Sequence, residues 1–449
     1  MRADVNECRQ KFMRSPTNNY LPVAALCLAA IFPGVSHAGQ SVSLKAYTAQ
    51  QTSMSLTLTL NDALSTAFAK NPLLAGQKAR VGMFEGDMQH SRRLVPANPE
   101  MELSGARRSN GSELSTDYGI RLSQEFWTAN KGDLSQQVAR GQLSSAELEL
   151  DFLKRAVSAR VRAAFFDVLL ARESLETAGR TVDLMSRTSD LMRVSVDQGK
   201  RTRLELNTAI IGVARAKSQE AAAQRQLEES RLALSEVLGI DPQESIRVKG
   251  NISLNFENLP AERQLVELAL ARRSDLQAVM ALVNSAESSL DLAQSQKIPN
   301  LKVFGFYNRE EGSNIIGGGV SVPLPTLHRF GGEAKRASAE LEAAQIRAEQ
   351  LQLTIKTDVL RARAQYRAAR VQLEQMSESI LKRSEETLEL MQVAFRAGKV
   401  GTTDVLAAQD NLISVRTEYI SAQSDYIAAV RALEISTGGG IVMAASNSQ

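Results

Sequence analysis

The sequence predicts a mostly helical fold with a membrane β-barrel, in which a unit of one β-hairpin and one very long helical hairpin occurs twice. Three observations predict it. The two halves of the chain align with each other, long stretches lack proline, and each half holds paired runs of alternating residues. Aromatic residues make up only 5% of the 449 residues, and the middle of each half has the composition of long helices.

Residues 1–38 have the pattern of an export signal peptide that is removed. A basic segment precedes an apolar run of about 12 residues, which is too short to cross a bilayer as a helix. Residues 36–38 then place small side chains where a signal peptidase reads them. Translation starts at either Met1 or Met13, since the second start leaves a more compact basic segment.

Both cysteines, Cys8 and Cys27, lie within this leader, so the mature chain is predicted to contain none. Disulfides, thiol catalysis and cysteine metal sites are therefore excluded. Leu26 precedes Cys27 where a lipoprotein signal has a small residue, which argues against a lipid anchor. The net charge of the whole chain is only +3, and it gives no indication of nucleic-acid binding.

The chain aligns with itself at an offset of about 200 residues. VDQGKRTRLELNTAIIGV at 196–213 aligns without a gap with FRAGKVGTTDVLAAQDNL at 395–412. The alignment extends through both halves, so a domain-sized unit is duplicated. The predicted divisions are a signal peptide at 1–38, an N-terminal extension at 39–57, a first repeat at 58–240, a linker or equatorial segment at 241–262, a second repeat at 263–438, and a C-terminal tail at 439–449.

Each repeat opens with a moderately helical stretch, at about 61–94 and about 261–297. Paired runs of about 9–11 residues with turn residues between them follow within 100–126 and 300–324, and predict one β-hairpin per repeat. These runs match transmembrane strands in length. Four strands cannot close a barrel, and an open edge is not tolerated in lipid. Three copies of the chain supply 12 strands, which predicts a trimeric barrel.

Proline is absent from 133–238 and from 333–436, as helix interiors require. Residues spaced alternately three and four apart in the first span form the seam of a coiled coil. A helix over 133–197 has a length of about 100 Å. A glycine then allows each long helix to turn back, and Thr202 and the 402–404 stretch are predicted to cap the returning helices.

The sequence shows no catalytic or cofactor-binding cluster. His90 and His328 lie far apart, and we interpret them as loop or surface residues rather than zinc ligands. The glycines at 317–319 lie in a predicted strand, where they serve packing rather than phosphate binding. Met185 and Met192 fall on the coiled-coil seam and are interpreted as core residues. The chain is therefore predicted to be no enzyme, with no cofactor and no metal site.

On these features the chain resembles the outer membrane factor family, the TolC-like outer membrane efflux proteins, over about residues 58–440. The resemblance rests on the duplicated hairpin and long helices, on the G-K-x-x-T-x-D-V-L type turn, and on P-L-P-x-x-x-R-x-G-G at 323–332. The sequence is most similar to the branch that pairs with heavy-metal RND pumps, the CzcC/CusC-like proteins. Many family members are lipoproteins, and this sequence departs from them at Leu26.

The resemblance implies a homotrimeric channel in the outer membrane of a Gram-negative bacterium, whose 12-stranded barrel joins an α-helical periplasmic tunnel. It implies passive conduction of heavy-metal cations from an inner-membrane RND transporter and a periplasmic adaptor (membrane fusion) protein. Outer-membrane lipid surrounds the barrel, and nucleic acid is no partner. Efflux of drugs or other small molecules, type I secretion, and a periplasmic coiled-coil scaffold without a barrel are the alternatives.

The same resemblance implies a gate at the free end of the tunnel. The acid of the T-x-D-V-L segment, Asp404, and its repeat partner Glu205 are the gate candidates, with Phe395 at the same constriction. A role for Asp404 as a helix cap is an equal and compatible alternative. Some relatives carry a second acid where this chain has Ala407. Small and basic residues at the turns are candidate contacts for the adaptor: Gly199, Lys200, Gly398, Lys399 and Thr402.

Overall fold

The computed structural model describes residues 56–110, 113–251, 256, 259–327 and 329–439. The predicted signal peptide, most of the N-terminal extension and nearly all of the C-terminal tail lie outside these residues. So do Cys8, Cys27 and His328.

Each predicted helical stretch at the start of a repeat is divided into two helices. Asn71 ends the first helix because a following proline, Pro72, disfavours helical backbone before it. The Asn71 side chain then caps the next helix by accepting hydrogen bonds from the N–H groups of Leu73 and Leu74, at 2.9 and 3.2 Å. The four helices are α1 (Leu60–Lys70), α2 (Pro72–Ser91), α5 (Glu262–Arg272) and α6 (Ser274–Ser295).

The two predicted hairpins join into one antiparallel sheet of four strands, in the order β2 (Glu100–Asn110), β3 (Glu113–Phe126), β5 (Leu301–Glu310) and β6 (Ser313–Ser321). Pairing of β3 with β5 links the hairpins of the two repeats within one chain. Within the described residues, the outer edges of β2 and β6 pair with no further strand.

The second hairpin turns more tightly than predicted. The sequence suggested a five-residue turn at 309–313, whereas pairing continues to Glu310 and Ser313. Only Glu311 and Gly312 lie between the strands, with φ values of 49° and 78°. Positive φ at both central residues is the geometry of a type I′ turn, whose twist matches that of the strands.

Two glycines of β6 make room for aromatic rings from β5. A Cβ atom at Gly319 would lie 2.9 Å from the ring of Phe304, and one at Gly317 would overlap the ring of Phe306. The two rings stack with their centroids 6.4 Å apart. Glycine at these positions therefore serves cross-strand packing of large side chains.

The first long helix, α3 (Lys131–Asp197), has 67 residues, and so a length of about 100 Å, as predicted. It turns back into α4 (Arg203–Leu238). The second repeat has α7 (Gly331–Gln375), α8 (Glu378–Arg396) and α9 (Thr402–Ser436), with a break before α8 that was not predicted.

Ser377 stands at that break and aligns with Ala178 inside α3. Serine has a lower helix propensity than alanine, and Ser377 takes the N-cap position of α8 with extended backbone but without a capping hydrogen bond from its side chain. None of the helices in the described ranges is both long and apolar enough to cross a membrane.

The largest core lies where α1, α3 and α4 pack against a short parallel pair of strands that the sequence analysis missed, β1 (Leu56–Leu58) and β4 (Ile246–Val248). Leu234 and Leu238 of α4 are fully buried there, and Phe165 and Phe166 of α3 meet edge to face at 6.1 Å. Burial of each such side chain stabilises the fold by about 1.5–3 kcal/mol. A second core joins α7 to α9 through the buried hydroxyls of Tyr366 and Tyr426, 3.2 Å apart.

Two glycines, one at the end of α4 and one at the end of α3, have the same backbone conformation but different surroundings. Gly239 (φ 72°) lies against α1, and a Cβ there would be 2.5 Å from the carbonyl oxygen of Lys70. Gly199 (φ 70°) has no atom within 4 Å of a Cβ position. We expect Gly199→Ala to cost about 1–2 kcal/mol, the left-handed penalty alone, and Gly239→Ala to cost more. Thermal unfolding of each detergent-purified variant, followed by circular dichroism, measures the loss of stability. Equal losses in the two variants would contradict the close packing of Gly239 against α1.

Candidate functional site at the two helix turns

The two long helical hairpins close with the same backbone geometry. Gly199 and Gly398 both have φ of 70°. The N–H of the following lysine, Lys200 or Lys399, donates to the carbonyl oxygen five residues earlier, at 2.9 Å in both turns. This is the Schellman ending of a helix, in which glycine takes the left-handed position. The repeated Gly-Lys step is therefore a pair of equivalent helix C-termini.

The returning helices begin with a carboxylate that reaches back to the cap residue. Thr202 caps α4, and its N–H donates to Glu205 Oε2 at 2.8 Å. In the second turn the N–H of Gly401 donates to Asp404 Oδ2 at 2.8 Å. The prediction of a cap at Thr202 is thus confirmed, but Gly401 rather than Thr402 holds the cap position of α9.

Thr402 is instead the first residue of α9, and its side chain joins the two turns. Its hydroxyl donates to Glu205 Oε1 at 2.8 Å, and only 3% of the residue is exposed. Arg201 Nη1 donates to the same Glu205 oxygen at 3.1 Å. The Arg201 guanidinium lies 4.6 Å from the ring centroid of Phe395. Arg201, Glu205, Phe395 and Thr402 therefore form one group from both repeats, the tip cluster.

The helix cap at Thr202 and the tip cluster keep Glu205 charged. The backbone N–H of Thr202 and the hydroxyl of Thr402 lower the pKa of Glu205 from its ordinary 4.5 to about 2. Hydrogen bonds to a carboxylate favour its ionised form. Because the folded-state pKa lies below the ordinary value, this cluster contributes stability above about pH 4.5 and loses it as the pH falls towards about 2.

The two aligned acids differ in their surroundings. Glu205 is held by Arg201 and by two threonines, whereas Asp404 is exposed. In the part of the chain that the structure describes, the Asp404 carboxylate has one hydrogen bond, from the Gly401 N–H. Asp404 thus presents its negative charge to solvent, while the charge of Glu205 is compensated within the chain.

Of the predicted partner contacts, four are accessible and one is not. Gly199, Lys200, Gly398 and Lys399 are exposed, and open space surrounds both glycines. Thr402 is buried.

The sequence analysis did not include Arg201 in this site. Arg201 lies one residue before the N-cap of α4, and its opposite charge close in sequence to Glu205 was the available signal for the ion pair that the two residues form.

A small apolar core supports the tip cluster. Met192 of α3 is 1% exposed and lies beneath Thr402, with 3.7 Å between the hydroxyl oxygen and the sulfur. Val405 and Leu412 of α9 pack next to Leu388 of α8. Met192 thus packs in the coiled-coil seam.

Across the described ranges, no group of three or more His, Cys, Asp or Glu side chains is placed to hold a metal ion. His90 is exposed at the end of α2.

The bond between the turns makes a direct prediction. Thr402→Val keeps the shape of the side chain and removes the donor to Glu205, so both turns should open more often. Amide hydrogen exchange in peptides over 198–206 and 397–406 should rise by roughly tenfold, since a hydrogen bond to a charged group contributes about 1.5–3 kcal/mol. Thr403→Val, at the exposed neighbouring position, is the matched control. Faster exchange in the second turn alone would show that the turns are independent.

Comparison with known proteins identifies the family. The sequence model of the family described as "Outer membrane efflux protein" matches residues 63–240 and 265–439. The cobalt-zinc-cadmium resistance protein CzcC of Cupriavidus metallidurans is 24% identical over 365 residues, which cover 81% of this chain and 86% of that protein.

Solved structures share the fold. A CusC structure matches with a TM-score of 0.73 at 17% identity, over 85% of this chain and 92% of that chain. The outer membrane protein VceC from Vibrio cholerae matches with a TM-score of 0.71 at 18% identity, over 85% and 96%. The fold class predicted from the sequence is confirmed, and the trimeric barrel fits the family.

The family excludes one of the functional classes that the sequence left open. Its channels form trimers, lie in the outer membrane of Gram-negative bacteria, extend into the periplasm, and work with adaptor and RND pump partners. They are passive channels rather than enzymes, as predicted. A periplasmic scaffold without a barrel is thereby set aside. The match over both repeats shows that this chain belongs to the outer membrane efflux protein family and is the outer-membrane channel of a tripartite efflux system.

Proposed function

We propose that this channel exports heavy-metal cations delivered by an RND pump and a periplasmic adaptor. The observation that carries the proposal is the relative CzcC, whose name describes cobalt, zinc and cadmium resistance and which aligns over 81% of this chain. The exposed charge of Asp404 agrees with a cationic cargo, because three copies around the axis of a trimer place three carboxylates at one level.

We also propose that the tip turns form the gate. Asp404 supplies the acidic ring, and Glu205 and Phe395 hold the two turns of one chain together through Arg201. Repulsion among like charges opposes a closed ring, so opening becomes easier once partners separate the tips. Small exposed residues and neighbouring lysines suit an adaptor hairpin that packs in coiled-coil fashion. Gly199, Lys200, Gly398 and Lys399 form this adaptor surface, while Thr402 stays within the tip cluster.

The proposal includes the division of the chain into a signal peptide at 1–38, two repeats at 58–240 and 263–438, and a linker between them. Outer-membrane lipid surrounds the strands, and nucleic acid is no partner. The matching geometry of the turns at Gly199 and Gly398 supports the duplication.

Asp404 offers a way to separate a gate from a cap. Asp404→Asn keeps an oxygen that accepts the Gly401 N–H and removes the charge, whereas Asp404→Ala removes both. For a gate, both variants should lower the cation-to-anion permeability ratio in planar bilayers by about twofold or more, and the alanine variant should also raise the single-channel conductance. Asp410→Asn removes an exposed charge from the same helix and is the control. If the asparagine variant conducts like the unmodified channel, Asp404 is a cap only.

The cargo is tested by deletion of the gene and growth on graded zinc, cobalt, cadmium, nickel, copper and silver, and on common antibiotics. We expect tolerance to at least one metal to fall and to return when the full chain is expressed from a plasmid. Unchanged metal tolerance with new antibiotic sensitivity would overturn the metal assignment and favour small-molecule efflux. Loss of a secreted protein from the medium, with both tolerances intact, would favour a secretion conduit.

A further inference from the structure

A cavity of about 610 Å³ lies between the four longest helices of the described chain, α3, α4, α7 and α9. Each of the four helices contributes an alanine to its wall, and these short side chains leave the space open: Ala164, Ala233, Ala362 and Ala432. The side chain of Arg361, which also lines the cavity, is 66% exposed, so the cavity opens to solvent. Since liquid water takes roughly 30 Å³ per molecule, the cavity has room for a small hydrated ligand.

The cavity carries more basic than acidic side chains. The charged groups that line it in the described chain are four arginines and two aspartates: Arg160, Arg273, Arg361, Arg431, Asp167 and Asp358. Asp358 lies 3.8 Å from Arg273 and 3.6 Å from Arg361, and it partly neutralises both. Arg273 is further compensated by Asp275, at 2.6 Å. The positive charge that remains therefore comes from the other two arginines.

Arg160 and Arg431 carry this remaining charge. Neither forms an ion pair among the residues that the structure describes. Asp167 shares the cavity with them, but burial raises the pKa of its carboxyl, and the opposing influence of Arg431 is smaller. Asp167 is therefore less readily ionised than an ordinary aspartate and compensates the two arginines only in part. Two such arginines in one recess attract anions.

One wall of the cavity is held in place. Arg273 is 6% exposed, and its guanidinium makes two hydrogen bonds to the Asp275 carboxylate, at 3.0 and 2.6 Å. The same guanidinium lies 5.5 Å from the ring centroid of Phe152. Arg160 is exposed and Arg431 is half-buried, so these two side chains can turn towards a ligand while the wall stays in place. The cavity thus combines a fixed positive wall with two adjustable donors.

The cavity faces away from the small elements that pack on the long helices. On α3, the ring of Phe165 lies against Gly250, just after β4. Arg160 and Asp167 lie five and two residues from Phe165, which places them about 140° and about 200° around the helix axis. In a tunnel walled by these helices, an additional layer such as β1 and β4 has to lie on the outside. The cavity on the opposite side therefore opens into the lumen.

We propose that this cavity binds a small multivalent oxyanion, a phosphate or a carboxylate-bearing molecule, inside the tunnel, with Arg160 and Arg431 as its principal donors. Guanidinium groups present paired N–H donors that match the oxygens of such anions, and they stay charged at physiological pH. We call this cavity the lumen anion site. It rests on the tunnel of the family and is independent of the metal cargo and of the gate proposed above.

The lumen anion site gives the tunnel two zones of opposite charge. Asp404 lies in the first turn of α9, and Arg431 lies 27 residues further along the same helix, about 40 Å away. Three copies of the chain add three pairs of arginines to the lumen, at a level separate from the carboxylates of the tip. A cation that passes the tip then meets a bound anion rather than bare arginines, which lowers the electrostatic barrier to its passage.

Isothermal titration calorimetry of the detergent-purified channel with inorganic phosphate at low ionic strength tests the site. We expect phosphate to bind, and to bind at least about tenfold more weakly after Arg160→Gln combined with Arg431→Gln, because hydrogen bonds to charged groups contribute on that scale. Arg431→Lys keeps the charge but loses the paired donors, so its affinity should be intermediate. Arg367→Gln removes an exposed arginine of α7 outside the cavity and is the matched control.

Citrate is titrated in the same way to identify the class of ligand. Tighter binding of citrate would indicate a carboxylate-bearing molecule, and tighter binding of phosphate a phosphate. Failure of both anions to bind would overturn the lumen anion site. Equal binding to the double variant would overturn it as well and leave an adventitious ion only.

Selenate provides a measurement on the unmodified channel, which is needed if the double variant does not assemble. In crystals soaked with selenate, anomalous scattering should place selenium beside Arg160 and Arg431 in each copy. Selenium bound only at other positions would overturn the site. Metal tolerance is measured separately, so a channel that holds selenate in the cavity but confers no metal tolerance would overturn the cargo proposal alone.

Discussion

Backbone groups at the edge of a sheet must find hydrogen-bond partners inside a membrane, and the rest of this structure depends on that constraint. The described residues of one chain form four antiparallel strands, and the outer edges of β2 and β6 pair with no further strand among them. Duplication alone does not remove the edges, since the two hairpins pair with each other through β3 and β5. Assembly of several copies is therefore a condition of placing the strands in lipid.

Two aligned acids show how a duplicated unit acquires different properties in its two copies. Glu205 and Asp404 both accept a hydrogen bond from the cap residue of their helix, at 2.8 Å in each case. Glu205 in addition binds Thr402 and Arg201, which act together with the backbone N–H of Thr202, the largest cause, to lower its pKa to about 2, while Asp404 faces solvent. Both acids accept a hydrogen bond from the backbone of their helix cap, which accounts for an acid at this position in each repeat. The residues around each acid decide whether its charge is available to a passing ion.

The sequence was informative where structure depends on local patterns. The heptad seam, the absence of proline and the glycine at each turn determined α3 and both reversals, because each signal acts within a few residues. The pairing of β1 with β4, and the bond of Thr402 to Glu205, join residues about 190 or more positions apart. No local pattern indicates such contacts. The break between α7 and α8 is an intermediate case. Ser377 alone does not indicate it, and the break becomes apparent only when Ser377 is compared with Ala178, the aligned residue inside α3.

The bond between Thr402 and Glu205 joins residues 197 positions apart. Each helical hairpin can form from its own neighbours, but loop-closure entropy must be overcome before the two can meet. The tip cluster thus cannot exist in a nascent chain that has only its first repeat. Its presence marks a chain in which the second turn has been synthesised and has packed against the first.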